Sequence, residues 1–310
     1  MPYAVLFPGQ GAAAPGVGRP WRDHRAWAVV EEAEDVLDRP LAELLLEAGA
    51  EELSTTRSSQ LAVFFTSLMA WDALAASVEE PPAAFAGHSL GQITALVSAG
   101  ALDRADGFRL AATRADLSQA SADAQPGQMA ALAGADLELA QRLCDAVEGV
   151  WIANDNAPGQ VVVAGTPAGM AQATELVSEL GIRRMRRLDV GHAFHTPLLA
   201  DAAQGLRPLL DRLSFRTPAA PIVVNTDAAE QTDPSCWPEQ LTRHLVEPVR
   251  WRECQQLLAT RASTFVEVGP GKVLAGLAKR TVPDVTMHNL SQPDDLARLR
   301  DIGMCLEVTS

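Results

Sequence analysis

The chain has 310 residues, 47% of them hydrophobic, and a formal net charge of −14. That length and apolar content suit a soluble globular protein with a sizeable core, in one large domain or two. No apolar run reaches spanning length, and so large a negative charge argues against nucleic acid and anionic membranes as partners. The opening residues, Met1-Pro2-Tyr3-Ala4-Val5-Leu6-Phe7, lack a basic region and run straight into a strand-like segment, so no secretory signal is expected. Cys144, Cys236, Cys254 and Cys305 are scattered without metal-type spacing, which predicts structural thiols, a reducing cytoplasm and no metal.

In chain order, Tyr3–Phe7 reads as a first strand ending in Pro8-Gly9-Gln10-Gly11. Such a turn can present backbone N–H groups to an anion, although no phosphate-loop or dinucleotide pattern follows. Trp27, Val30 and Leu37 mark an amphipathic helix, Pro40 fits the first turn of a second, and residues 59–71 form a third. Gln60, near the start of that third helix, reads most simply as an end cap. Ala83-Ala84-Phe85-Ala86 suits a buried strand and Ile93, Leu96 and Val97 recur at helical spacing; between them stands Gly87-His88-Ser89-Leu90-Gly91. A strand turning this sharply into a helix exposes its central serine as a nucleophile, with glycines where side chains would collide and helix N–H groups near any oxyanion. The alternative is a tight turn with an incidental serine.

Residues 105–121 predict a helix that carries Arg114 on an apolar stripe with Leu110, Ala111, Leu117 and Ser118. Such an arginine either pairs with an acid nearby, Asp116 for example, or is aimed into a site where its fork grips a carboxylate. Strands at 129–133, 150–153, 161–164 and 184–190 and helices at 137–147 and from Thr166-Pro167 to Gly181 then give the order β-α-β-β-α-β, a ferredoxin-like arrangement. Residues 154–159, rich in Asn and Asp, read as the turn between its two middle strands. Gly191-His192-Ala193-Phe194-His195-Thr196-Pro197 follows, placing His195 at the seam before a helix running to about residue 213. Strand–turn–helix repetition resumes at 222–225 and continues through 264–268 and a helix to about 280, with a polar, peripheral tail after Ser291. The fold class predicted is α/β: a mostly parallel sheet with helices on both faces in 1–126 and 197–310, and an inserted α+β subdomain in 127–196.

Several of these stretches together resemble the malonyl-CoA:acyl carrier protein transacylase family, which includes acyltransferases of fatty acid and polyketide synthesis. The matching residues are Phe7-Pro8-Gly9-Gln10-Gly11, Gly87-His88-Ser89-Leu90-Gly91, Arg114 with Gln119, and Asn154, Asn156, Pro158 and Gln160. His192-Ala193-Phe194-His195, Pro248-Val249 with Trp251, and Glu267-Val268-Gly269-Pro270-Gly271-Lys272 complete the set, in family order along nearly the whole chain. The resemblance implies a hydrolase-like α/β domain with the ferredoxin-like insertion, and ping-pong transfer of malonyl from malonyl-CoA to the phosphopantetheine thiol of acyl carrier protein. It makes Ser89 the nucleophile and His195 the base, with the backbone N–H groups of Gln10 and Leu90 as oxyanion hole. It pairs Arg114 with the malonyl carboxylate, places Gln60, Asn156, Phe194 and His192 around the substrate, and assigns the histidine-orienting main-chain carbonyl to Arg250. No bound cofactor and a monomer are expected.

Phe194 occupies space that an α-methyl group needs, so the resemblance favours malonyl over methylmalonyl, although one methyl is worth only about 1–3 kcal/mol of discrimination. Gln92, Ser118 and Thr196 stand where glutamate, methionine and serine are usual. Arg183, Arg184, Arg186 and Arg187 read equally as a carrier-docking patch or a solvated strand edge. Rival readings are an acyltransferase of a polyketide or malonate-utilising pathway with another acyl group, an α/β-hydrolase-type thioesterase, and an idle docking protein. The thioesterase wants an acid between serine and a late histidine, and Asp189 lies too near His195 for that arrangement.

Overall fold

The computed structural model describes residues 2–301. Strand β1 (Tyr3–Phe7) is buried throughout, with Tyr3, Val5 and Phe7 in one core and Ala4 and Leu6 in another. An apolar run buried on both faces is what the centre of a parallel sheet requires. Helices α1 (Ala28–Leu37), α2 (Leu41–Glu47), α3 (Ala50–Ser54) and α4 (Thr56–Ala75) follow. The hydroxyl of Thr55 caps α4 by accepting the Ser58 N–H, so Gln60 is not the cap that its position suggested. Strand β2 (Ala84–Gly87) pairs parallel with β1, Phe7 opposite Gly87. It leads into α5 (Gly91–Ser98) and α6 (Arg104–Ala124).

Helices α4 and α6 pack antiparallel. Phe64 and Phe65 meet Phe108 edge to face, ring centroids 6.4 and 5.5 Å apart, while Gln60 meets Arg114 farther along. Each such aromatic pair contributes about 0.5–1.5 kcal/mol beyond its burial, so this contact fixes which residues of the two helices face each other.

A second sheet comprises β3 (Gln128–Ala133), β4 (Val150–Ala157), β5 (Gln160–Gly165) and β6 (Arg184–Arg187), all antiparallel in the order β4-β5-β3-β6. Helices α7 (Leu137–Ala146) and α8 (Pro167–Leu176) cover it over a separate core that includes Leu132, Leu143, Val163 and Met170. Strand β4 runs on through Asn154, Asp155 and Asn156, where the sequence suggested a turn. Both of its edges are engaged there: β5 lies on one side, and on the other Asp155 N–H donates to Val249 O and Val249 N–H to Ala153 O. Two-sided main-chain pairing outweighs the turn preference of Asn and Asp. Strand β6 stops at Arg187, three residues short of the expected end, where its ladder with β3 ends at Ala130.

The chain then returns to the first sheet through α9 (Ala200–Leu210), β7 (Ile222–Val223), β8 (Glu230–Gln231), α10 (Trp237–Val246), α11 (Trp251–Ala259), β9 (Thr264–Val268) and α12 (Val273–Thr281). Strand β10 (Thr286–Leu290) and α13 (Asp295–Asp301) follow. The strand order is β10-β9-β1-β2-β7-β8, parallel except for β7 with β8. The expected peripheral tail is corrected: Leu296 and Leu299 are buried in the main core, and the Asp295 carboxylate accepts the Ser291 and Gln292 N–H groups. Cys144, Cys236 and Cys254 are free thiols, and Cys305 lies outside the described residues. Among the described residues no helix is long and apolar enough to cross a membrane, and no His, Cys, Asp and Glu cluster has the form of a metal site.

Candidate active site

Because Phe7 and Gly87 lie opposite each other at the carboxyl ends of β1 and β2, the turns after them emerge side by side. The elbow after β2 is as tight as its glycines suggest. A Cβ on Gly87 would stand 1.9 Å from the Gly91 carbonyl carbon, and one on Gly91 would stand 2.3 Å from the Phe7 carbonyl oxygen. Ser89 sits between them at φ 51°, in the left-handed region.

Its hydroxyl meets two groups from distant elements. His195 Nε2 lies 2.7 Å from Ser89 Oγ, and Arg114 Nη2 donates to the same oxygen at 3.1 Å. His195 itself is buried at φ 60° just before α9, and its Nδ1 donates to the main-chain carbonyl of His244 at 2.9 Å. With Nδ1 protonated, Nε2 presents its lone pair to the serine. Burial, and after it the nearby Arg114 charge, push the His195 pKa down to about 3. A neutral imidazole facing a hydroxyl is the state a general base needs.

The carbonyl that orients His195 therefore belongs to His244, and the expectation of Arg250 is corrected. Val249 adds a bridge to Asn154 of β4, which carries the chain past the histidine before Arg250 is reached. Arg250 N–H donates to Asn225 O, and its guanidinium pairs with Glu253.

Arg114 is 4% exposed, and burial lowers its pKa to about 10, leaving it charged at neutral pH. It does not pair with Asp116, which faces the other way and binds Arg39 and Arg57. Its second partner is the carbonyl oxygen of the Gln60 side chain, whose amide in turn donates to Gln10 Oε1 at 3.3 Å. The Gln10 turn is held to α4 as well, by Gly11 N–H on Ser59 Oγ. The main-chain N–H groups of Gln10 and Leu90 have no hydrogen-bond partner among the described residues, whereas Gly91, Gln92 and Ile93 spend theirs inside the turn.

The other expected residues stand one step back. Asn156 Oδ1 holds His88 Nε2 at 2.8 Å, while the His88 ring packs on Trp251. His192 is fully buried and its Nε2 meets Ser121 Oγ of α6 at 3.2 Å, with its ring edge to face on Phe194. Neither His192 nor Phe194 forms a hydrogen bond to Ser89, Arg114 or His195. Arg183, just before edge strand β6, and Arg184, Arg186 and Arg187 within it are exposed, and none forms an ion pair among the described residues. Asn225 and His244 were not singled out by sequence; both hold active groups through polar contacts that leave no local pattern.

Hydrolase-like sheet, elbow serine and acid-free histidine define an acyl-transferring class of site. The acyl transferase domain family model matches residues 5–298, and the chain belongs to that family. Malonyl CoA-acyl carrier protein transacylase of Bacillus subtilis (strain 168) is 36% identical over 300 residues, covering 94% of each protein. The crystal structure of the acyl-carrier-protein S-malonyltransferase of Burkholderia pseudomallei 1710b superposes with a TM-score of 0.91 at 34% identity, over 97% of this chain and 100% of that one. A malonyl-transacylase solved in complex with its type II polyketide acyl-carrier protein superposes with a TM-score of 0.93 at 31% identity, over 98% of this chain and 100% of that chain.

Proposed function

We propose that this protein transfers malonyl from malonyl-CoA to the phosphopantetheine thiol of acyl carrier protein through a malonyl-serine. The observation that carries the reading is the convergence on Ser89 Oγ of a neutral histidine and a buried guanidinium. Ser89 Oγ attacks the thioester carbonyl while His195 Nε2 takes its proton, and the His244 carbonyl stabilises the imidazolium through Nδ1. Collapse of the tetrahedral intermediate expels the CoA sulfur, which receives that proton. The carrier thiol then attacks the ester, loses its proton to His195, and the serine oxygen leaves and is reprotonated. Gln10 and Leu90, with free N–H groups on adjacent turns, are the proposed oxyanion donors.

Arg114, steadied by Gln60, is the proposed partner of the malonyl carboxylate, which would replace the neutral contacts the guanidinium now makes. Asn156 acts by fixing His88 beside the nucleophile, and Phe194 with His192 forms the wall that favours an unbranched acyl group. Both acyl carriers are substrates, so no resident cofactor is required. The free thiols suit a reducing cytoplasm, the proposed location. Incubation with malonyl-CoA, with and without phosphopantetheinylated carrier, tests the reading. Malonyl-carrier should form much faster than free malonate, and rapid hydrolysis without carrier product would favour a thioesterase instead.

A further inference from the structure

Asn225, two residues beyond β7, is fully buried and turned toward the elbow. Its Nδ2 donates to Gly87 O at 2.9 Å, its Oδ1 accepts the Ser89 N–H at 2.8 Å, and its own N–H donates to Gln92 Oε1 at 3.0 Å. These neighbours leave the carboxamide one orientation. Reversal would set Nδ2 against the Ser89 N–H and Oδ1 against the Gly87 carbonyl. Oδ1 is therefore also the acceptor toward His244 Nε2, 3.0 Å away, and the imidazole is the donor. Burial and the neighbouring His195 and Arg114 hold the His244 pKa well below its ordinary value, so the ring is neutral and carries its proton on Nε2. The carbonyl of this same residue orients His195, whose ring lies 5.4 Å from the His244 ring.

The device has something to hold. Ser89 and His195 both sit at positive φ, where a side chain costs roughly 1–2 kcal/mol, and such strain persists only when the surroundings enforce it. Asn225 grips the elbow on both sides of His88, and His244 reaches the nucleophile's support through its side chain and the base's through its main chain.

We propose that Asn225 and His244 are positioning residues in one connected path, from the Ser89 N–H through the Asn225 and His244 side chains and the His244 main-chain carbonyl to the His195 ring, that sets the separation of nucleophile and base. The inference rests on Ser89 and His195 filling those roles and not on which acyl group they transfer. It is tested by the rate at which a fluorophosphonate probe labels Ser89, together with kcat and KM for malonyl-CoA, in Asn225→Ala, His244→Leu, His244→Gln and the Asn225→Ala/His244→Leu double variant. Misplacement of reacting groups by an ångström costs about 100-fold, so labelling should slow by roughly 10- to 100-fold in Asn225→Ala and His244→Leu, with KM unchanged. His244→Gln, which keeps a donor, should recover most of the rate, and the double variant should be no slower than the slower single one. Wild-type labelling in His244→Leu, no recovery in a folded His244→Gln, or multiplied losses in the double variant would overturn the proposal. If Asn225→Ala does not fold, the two His244 variants decide. A wild-type protein that labels with the probe but takes no malonyl would refute the acyl assignment alone, and labelling would still decide the positioning role.

Discussion

A guanidinium with 4% of its surface exposed asks for an anion, yet the partners of Arg114 are a carboxamide and the nucleophilic hydroxyl, both neutral. In the proposed function the malonyl carboxylate would supply that charge. Hydrogen bonds to charged groups are worth about 1.5–3 kcal/mol, so Arg114→Ala should lower kcat/KM for malonyl-CoA by roughly 10- to 100-fold while sparing acetyl-CoA. Equal losses for both thioesters would make Arg114 structural. The same charge depresses the His195 pKa, so the substitution should also move the acid limb of kcat/KM upward in pH, toward an ordinary histidine. An unmoved limb would contradict the electrostatic coupling. At this scale the sequence was legible wherever the proposed chemistry rests on a side chain, since the side chains of Ser89, His195 and Arg114 do converge. It was not legible where a main-chain carbonyl acts: any residue supplies one, and His244 and Arg250 differ only in where the fold leaves them.

Elements decide what surrounds these residues. The elbow could be read from its two glycines because steric exclusion is local, and the ferredoxin-like order from short apolar runs between helical stretches and the Thr166-Pro167 cap. Strand β4 could not, since its Asn- and Asp-rich end is held as strand by pairing on both edges, with β5 on one side and the sequence-distant Val249 on the other. Strand β10 is half polar, and only its parallel pairing with β9 identifies it. On the opposite edge of the small sheet, Arg183 and the three arginines of β6 are exposed and form no ion pair among the described residues, in a chain of net charge −14. An acidic carrier would be drawn to such a strip. Arg184→Glu with Arg187→Glu should raise KM for the carrier and flatten its salt dependence, leaving Ser89 acylation by malonyl-CoA unchanged. Carrier kinetics identical to wild type would show that the strip is only a solvated edge.

For the whole molecule, the histidines gathered around one site tie stability to pH. Burial lowers the pKa of His88, His192, His195 and His244, in the case of His195 to about 3. The unfolded chain, with histidines near 6.5, therefore binds more protons between the folded values and about pH 6.5. Their contribution is complete above that pH and is lost progressively below it. The raised carboxyls of Glu267 and Asp155 work in the opposite sense. Unfolded carboxyls titrate at about 4 and unfolded histidines at about 6.5, so the histidines should dominate as the pH first falls through that value. Tm should fall between about pH 7.5 and pH 5.5, and a constant Tm would argue that the imidazoles are already charged in the fold.

The central claim is that one serine carries malonyl between two thiols. Its most direct test is intact-protein and peptide mass spectrometry after brief exposure to malonyl-CoA, followed by a chase with phosphopantetheinylated carrier. One malonyl group should appear on Ser89, be absent from Ser89→Ala, and pass to the carrier thiol during the chase. A label elsewhere, no label, or a Ser89 label that is released only to water would contradict the account.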